Sequence, residues 1–327
     1  MGPSPSMGEG GVRMMRCVKC REPAVLEIRR HNAAFCAPHF LDFFTSQVER
    51  AIREMHMFTK DDRILVAVSG GKDSLSLWDV LLRLGYRASG LYIHLGIGEY
   101  SERSKEKVVQ FADKEKAELL IVDLPREYGM GVEEMARLTH RVPCSACGLS
   151  KRYLFNKVAL DHGFDVVATA HNLDDEAAVL LGNLIHWQVE FLGRQSPVLE
   201  STHPKLVKKV KPLYRLAERE TAAYAVLRGI DYIVEECPNS TGARSLLYKE
   251  ALNLLEARAP GTKQSLYWGF LERGQRLLRS REEVPLRECL TCGQPTTSEV
   301  CAFCRMTERA LEKAQITRLG PTTAKRS

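Results

Sequence analysis

The stretch Ser69-Gly70-Gly71-Lys72-Asp73-Ser74 limits what this chain can fold into more than any other. It follows a short apolar run of β type, Ile64-Leu65-Val66-Ala67-Val68, and leads into a helical pattern, Leu75-Ser76-Leu77-Trp78-Asp79-Val80-Leu81-Leu82. Strand, glycine-rich turn and helix in that order aim backbone N–H groups and a helix N-terminus at one point, where an anion binds. The two glycines permit close approach or a positive φ. Lys72 adds a point charge, and Ser69 and Ser74 add hydroxyl donors. The loop is not a Walker A loop, which needs four residues between its first glycine and Gly-Lys-Ser/Thr. A polar turn that only caps a helix would account for the glycines but not for the whole strand–SGGKDS–helix combination.

The surrounding pattern extends this unit. Strands are expected at 64–68, 88–95, 118–123 and 165–170, and helices at 74–84, 102–116, 149–161 and 174–186. Strands alternating with helices predict a parallel sheet covered on both faces. Right-handed crossovers then bring the loops after the strands to one edge. That edge gathers SGGKDS, His94-Leu95-Gly96 and Ala170-His171-Asn172-Leu173-Asp174-Asp175-Glu176, the place for a nucleotide. An acidic helix start such as 174–176 also complements the helix dipole, and His171 carries no assignment. Apolar residues Leu41, Phe44, Val48, Ile52 and Met55 predict a helix over 41–58 that joins the first section to this core.

The chain of 327 residues has no apolar run near the ~18 residues of a membrane span. Residues 1–14 read as a disordered extension without the apolar centre of a signal peptide. A net charge of +6 is compatible with an RNA partner but does not demand one. The cysteines say more. Eight of the ten form four C-x-x-C pairs, and in a chain expected to be cytoplasmic such pairs usually hold metal rather than form disulfides.

Cys17-x-x-Cys20 with Cys36-x-x-His39 supplies a Cys₃His set for one tetrahedral zinc, a saturated and therefore structural site. Cys289-x-x-Cys292 with Cys301-x-x-Cys304 supplies a Cys₄ set for a second. These modules are expected over 15–40 and 281–306, each too short to bury a core without metal, with a catalytic domain over 59–280 and a basic tail over 307–327. Arg281, Arg287, Arg305 and the tail residues 323–327 either meet phosphates or form a solvated face. Subtracting the zinc ligands leaves Cys144-x-x-Cys147 and the lone Cys237, three thiols for one remaining site. Three readings stay open for them: a [4Fe–4S] cluster with one iron open to another ligand, persulfide and disulfide chemistry, or a structural zinc completed by His140 or His171.

In its context SGGKDS resembles the PP-loop of the adenylating ATP pyrophosphatases, which split ATP between the α- and β-phosphates. With the central C-x-x-C, one distant cysteine and a knuckle at each end, the chain resembles the tRNA 2-thiouridine synthetases of the TtuA type, over about 290 residues from Cys17 to Cys304. The 2-thiocytidine branch of that superfamily carries a second central C-x-x-C and lacks the flanking knuckles. The fold class implied is α/β: a PP-loop, adenine nucleotide alpha hydrolase-like, doubly wound parallel sheet flanked by small zinc-binding modules.

The resemblance gives Cys144, Cys147 and Cys237 to the cluster. It gives Ala67, Ser69, Gly70, Gly71, Asp73 and Ser74 to the phosphates and ribose side of ATP, with Lys72 stabilising phosphate charge. Ile93 would meet adenine. Lys151, opening the helix after the second cysteine, would reach a phosphate. Ala170 and Asp175 would line the last loop, with Mg²⁺ near Asp175. Family members often have glycine where Ala170 stands, which points to backbone contact there. The implied reaction adenylates the C2 oxygen of a tRNA uridine, or ribothymidine, at position 54 and replaces it with sulfur. The implied donor is a ubiquitin-like carrier with a C-terminal thiocarboxylate, and homodimers are common among such proteins. ATP-dependent amidation or lysidine formation on tRNA is a competing chemistry for the PP-loop, and an RNA-binding zinc protein with a decayed ATP site is a third.

Overall fold

Strand residues that alternate between two apolar layers organise the molecule. In the computed structural model the described residues are 15–240, 242, 244–278 and 285–319; the extension expected over 1–14, Arg281 and the tail residues 323–327 lie outside them.

The N-terminal section pairs β1 (Leu26–Ile28) with β2 (Ala33–Phe35) and runs straight into α1 (Ala37–Glu54). The helix expected over 41–58 therefore starts and stops four residues earlier, and His39 lies in its first turn rather than in a loop. Cys36 is the N-cap and Pro38 occupies the first turn, where a missing N–H costs nothing. The buried stripe is Phe40, Phe44, Val48, Ala51 and Ile52.

The core follows as β3 (Arg63–Val68), α2 (Lys72–Arg83), β4 (Arg87–His94), α3 (Gly98–Glu115) and β5 (Leu119–Asp123). Between 124 and 148, where no element is expected from the sequence, lie α4 (Leu124–Tyr128) and α5 (Val132–Thr139), and α6 spans Pro143–Asp161, not 149–161. Then come β6 (Val166–Ala168), α7 (Leu173–Ile185), α8 (Val189–Arg194), β7 (Val198–Leu199), β8 (Lys208–Val210), α9 (Glu218–Leu227), α10 (Arg244–Arg258), α11 (Thr262–Gly269) and α12 (Gln275–Leu278). The C-terminal section pairs β9 (Arg287–Glu288) with β10 (Pro295–Thr296) and ends in α13 (Ala302–Leu319).

The sheet order is β5-β4-β3-β6-β8-β7. All pairings are parallel except β7 with β8. The expected parallel sheet thus has one antiparallel edge, because the short link from Leu199 to Lys208 is too brief for a crossover. Along β3, Ile64, Val66 and Val68 face one core while Leu65 faces the other. The first core joins α1, α2, α3 and α9; there Phe44 stacks on Tyr224 at 4.0 Å between ring centroids. Gly90 of β4 lets Trp78 lie flat against the sheet: a Cβ there would come within 2.6 Å of the indole ring. The second core joins α5, α6 and the C-terminal section, where Phe303 stacks on Tyr153 at 4.0 Å.

The C-terminal segment corrects another expectation. Residues 307–319 form most of α13 rather than a tail. Neither Gly nor Pro interrupts 302–319, and Phe303, Met306 and Ala310 are buried at helical spacing.

The chain moves outward from β3 to β5, then returns to set β6 on the other side of β3. The loops after β3 and β6 therefore flank a crevice at the point where strand order reverses, which is where ligands bind in such sheets.

Candidate active site

The loop from Ser69 to Gly71 holds its own shape. Ser74 Oγ donates to the Gly71 carbonyl at 3.0 Å and accepts from the Ser69 amide at 3.1 Å. Gly70 adopts φ +79°, and a Cβ on it would sit 2.6 Å from the Ser104 carbonyl oxygen of α3. Only glycine meets both conditions. The following helix, α2, begins at Lys72, so its free N–H groups face the crevice.

A cavity of about 410 Å³ opens beside this loop. Its walls include Ala67, Ser69, Asp73, Ser74, Ile93, Cys147, Lys151, Ala170, Asp175 and Cys237, ten of the residues expected from the sequence. Gly70, Gly71, Lys72 and Cys144 are not part of that lining. Tyr92, Tyr100, Phe155, Thr169 and His171 join it without having been assigned there. His171 Nδ1 pairs with Thr169 Oγ1 at 2.9 Å.

Lys151 does not open its helix. It stands well inside α6, one turn after Cys147, because Pro143 rather than Leu149 starts that helix. Both cysteines of the central pair thus lie in the first turns of α6. Cys144 is exposed, and its Sγ donates to the Asn239 carbonyl at 3.0 Å. Asn239 Nδ2 in turn donates to Glu133 of α5 at 2.9 Å, so Asn239 ties the Cys237 turn both to α5 and to the start of α6. Burial, with the neighbouring Cys147 and Cys144, raises the Cys237 thiol against the pull of the Asn239 backbone and of Lys151.

The three sulfur atoms do not all lie within 4.8 Å of one another, and neither His140 nor His171 completes such a set with them. A single tetrahedral ion would need that closeness, so the structural-zinc reading fits poorly. Cys147 and Cys237 wall the cavity and Cys144 lies outside its lining, one turn of α6 before Cys147; a wider spacing of thiols suits a polynuclear centre, whose irons prefer thiolates.

A set of charges rims the same site. Lys72 Nζ contacts Asp73 Oδ2 at 3.1 Å and Glu218 Oε1 at 2.8 Å. Lys249 Nζ contacts Asp175 Oδ1 at 2.6 Å and Glu218 Oε2 at 3.2 Å. Asp73 also accepts from the Thr221 hydroxyl. Burial, and then the charge of Asp175, push the Asp73 carboxyl up despite Lys72. Two carboxylates that repel each other across a cavity suit a dication such as Mg²⁺, which takes oxygen ligands. Asp175 also shapes its own helix, because its Oδ2 accepts from the Asn172 amide at 3.0 Å and closes a capping box at the start of α7. Glu218 and Lys249 escaped sequence reading, since no local motif marks either.

The end clusters meet a stricter test. A tetrahedral ion with Zn–S near 2.3 Å sets its sulfurs about 3.8 Å apart. Cys20 and Cys36 Sγ are 3.6 Å apart, and His39 Nδ1 lies 3.2 Å from Cys36 Sγ and 3.5 Å from Cys17 Sγ. Cys292 and Cys301 Sγ are 3.9 Å apart. In each cluster all four ligand atoms fall within 4.8 Å of one another. Burial would raise the Cys17 and Cys289 thiols, but backbone N–H donors, led by Cys36 for the first and Cys301 for the second, bring each down to about 6.

Comparison with known proteins agrees with this geometry. A PP-loop domain family matches residues 44–244, and the family described as "2-thiouridine synthetase TtuA, N-terminal LIM domain" matches residues 16–41. The chain is 57% identical over 307 residues to tRNA-5-methyluridine(54) 2-sulfurtransferase of Thermus thermophilus, covering 94% of this chain and 95% of that one. It is 45% identical to the protein of the same name from Pyrococcus horikoshii, covering 89% and 93%. Among solved structures, the U34-tRNA thiolase NcsA from Methanococcus maripaludis with its [4Fe-4S] cluster superposes with a TM-score of 0.77 at 27% identity, covering 90% of this chain and 96% of that one. Among the described residues no helix is long and apolar enough to cross a membrane.

Proposed function

The chain belongs to the TtuA family of tRNA 2-sulfurtransferases, and on that premise we propose that it uses ATP to adenylate the C2 oxygen of uridine or ribothymidine 54 in tRNA and exchanges that oxygen for sulfur. The observation that carries the reading is one cavity walled both by the PP-loop and by Cys147 and Cys237. Activation and sulfur delivery then take place on one base without transfer between pockets.

Each residue's part follows from its position. The amides of Ser69 to Gly71 and the start of α2 hold phosphate charge as it develops. Lys151, reaching the cavity from α6, neutralises the α-phosphate, and Ile93 supplies an apolar wall for adenine. Ala67 and Ala170 contribute backbone and small surfaces beside it. Asp175 with Asp73 would hold Mg²⁺, which would supply positive charge against the phosphates when bound. A [4Fe–4S] cluster held by Cys144, Cys147 and Cys237 would supply, when bound, an iron position open to a sulfur ligand. AMP, a far better leaving group than the original oxygen, departs from C2 as sulfur arrives.

Two Zn²⁺ ions would complete the end clusters, Cys17, Cys20, Cys36 and His39 in one and Cys289, Cys292, Cys301 and Cys304 in the other. A cleft of about 650 Å³ lined by Arg141, Arg305 and Arg309, with Glu308 and Glu312 also on its walls, keeps an excess of one positive charge that fits tRNA phosphates; Arg141 stands three residues before Cys144. A thiocarboxylate-bearing ubiquitin-like carrier suits this sulfur chemistry. Trp187 in the turn before α8, Phe191 on α8 and Leu277 on the adjacent α12, exposed by 78%, 62% and 85%, offer an apolar face for a homodimer. Cysteines that hold metal rather than form disulfides, and a tRNA substrate, both favour a cytoplasmic location.

The test is metal and sulfide analysis of anaerobically purified protein, with thiolation of tRNA by wild type and Cys237→Ser. About four irons and two zincs per chain, with activity lost and fold retained in the variant, are expected. Three zincs without iron after reconstitution, or wild-type thiolation by Cys237→Ser, overturns the assignment.

A further inference from the structure

Lys249 stands out because nothing in its own segment calls for it. It arrives on α10, twelve residues after Cys237, yet ends between Asp175 and Glu218 at the nucleotide crevice. Its position is fixed from both sides. Tyr248 bonds His186 of α7 at 3.0 Å, and Leu252, one turn on, is 1% exposed. Tyr248 also lies so close to α7 that a Cβ on Gly182 would come within 2.7 Å of its ring.

The charge set it belongs to is unbalanced. Asp73, Asp175 and Glu218 bring three negative charges, and Lys72 and Lys249 bring two positive ones. All five side chains keep between 21% and 38% of their surface in solvent, so they are within reach of an incoming ligand. A triphosphate cannot approach three carboxylates unless a dication occupies some of them. Mg²⁺ on Asp73 and Asp175 takes from each lysine its aspartate partner. Lys72 and Lys249 would then share Glu218 alone, which leaves two ammoniums facing one carboxylate at the edge of the crevice.

We propose that Lys249 is a ligand for the β- and γ-phosphates of ATP, exchanging Asp175 for phosphate as the Mg²⁺ nucleotide binds and holding the pyrophosphate as the α–β bond breaks. The proposal rests on the adenylating reading of the site. Because α10 follows directly from the Cys237 turn, the same segment touches the leaving pyrophosphate and the sulfur site.

The experiment measures binding by calorimetry in the presence of Mg²⁺, without tRNA, for wild type, Lys249→Met and Lys249→Arg. The probes are ATP, inorganic pyrophosphate and AMP. Loss of one charge-assisted hydrogen bond weakens ATP and pyrophosphate roughly tenfold or more in Lys249→Met. AMP, which lacks the outer phosphates, keeps its affinity, and Lys249→Arg recovers most of the loss. Equal ATP and pyrophosphate affinities in Lys249→Met and wild type overturn the proposal. So does a parallel fall for all three ligands with a lowered melting temperature, which marks Lys249 as a support for α10 only. Wild-type protein that binds none of the three removes the adenylating reading itself.

Discussion

Replacing Arg30 by Met tests how the N-terminal metal module is joined to the catalytic core. Arg30 reaches from the turn between β1 and β2 to Glu220 on α9, with the two side chains 6% and 4% exposed. One Nη donates to Glu220 Oε2 at 2.7 Å and to the Arg215 carbonyl at 3.3 Å, and the other pairs with Oε1. Breaking a buried pair of this kind costs about 3–5 kcal/mol, chiefly because one charge is left without its partner. Glu220 keeps one donor, the Ala217 amide at 3.1 Å, so Arg30→Met belongs at the lower end, about 3 kcal/mol. Adding Glu220→Gln removes the stranded charge while retaining an acceptor for Ala217. The double variant is therefore expected within about 1–2 kcal/mol of wild type. Urea unfolding of zinc-loaded protein, followed by far-ultraviolet circular dichroism, gives all three values. A single-variant loss below about 1 kcal/mol, the scale of an exposed ion pair, or a double variant no better than the single, would refute the buried-pair reasoning. Because Glu220 caps α9 two residues after Glu218, ATP affinity is expected to fall in the single variant and return in the double.

Three further outcomes follow from particular residues. Gly70→Ala must adopt a strained backbone, worth about 1–3 kcal/mol, and collides with the Ser104 carbonyl; ATP binding should be lost, and wild-type adenylation by this variant would contradict the loop geometry. Glu218 is raised by burial, but its ion pairs with Lys72 and Lys249 outweigh this and hold it below its ordinary 4.5. The stability it contributes is therefore complete above pH 4.5 and is lost as pH falls through the lower folded-state value. Glu218→Gln should flatten that part of the acid-unfolding curve, and an unaltered acid limb would count against the ion pairs. Deleting the C-terminal module would bare the Tyr153–Phe303 contact, so charge reversal is the cleaner probe: Arg309→Glu should weaken tRNA binding and lower its salt dependence by about one unit for each phosphate no longer neutralised, with ATP affinity unmoved. An unchanged salt slope would exclude the Arg141–Arg305–Arg309 cleft.

The parts legible in the sequence share one property: a short segment encodes them. The alternation of Ile64 to Val68, the SGGKDS loop and the paired knuckles each set their own geometry. Cys237 was reachable by counting, since it alone remained once the four pairs and Cys36, which belongs with His39, were set aside. The start of α6 was missed because Pro143-Cys144-Ser145-Ala146-Cys147-Gly148 looks like a loop, although Pro suits a helix's first turn. Residues 307–319 looked like a tail because their charges obscure the spacing of Phe303, Met306 and Ala310. Strands of two or three residues such as β7 and β8 carry too little pattern to be seen. Glu218 and Lys249 come from separate helices and meet only after α9 and α10 have packed, so no window of sequence contains their relation.

Helix α6 carries Cys147 and Lys151 four residues apart, a rise of about 6 Å along one axis. With the roles proposed for them, activation and sulfur delivery are mounted on a single rigid bar, one turn of helix from each other. Their spacing is set when the helix forms and owes nothing to a closing lid. An enzyme built this way cannot retime activation against sulfur entry by moving one site relative to the other; the order of events must come from what the nucleotide, the RNA and the sulfur donor do to the space between them.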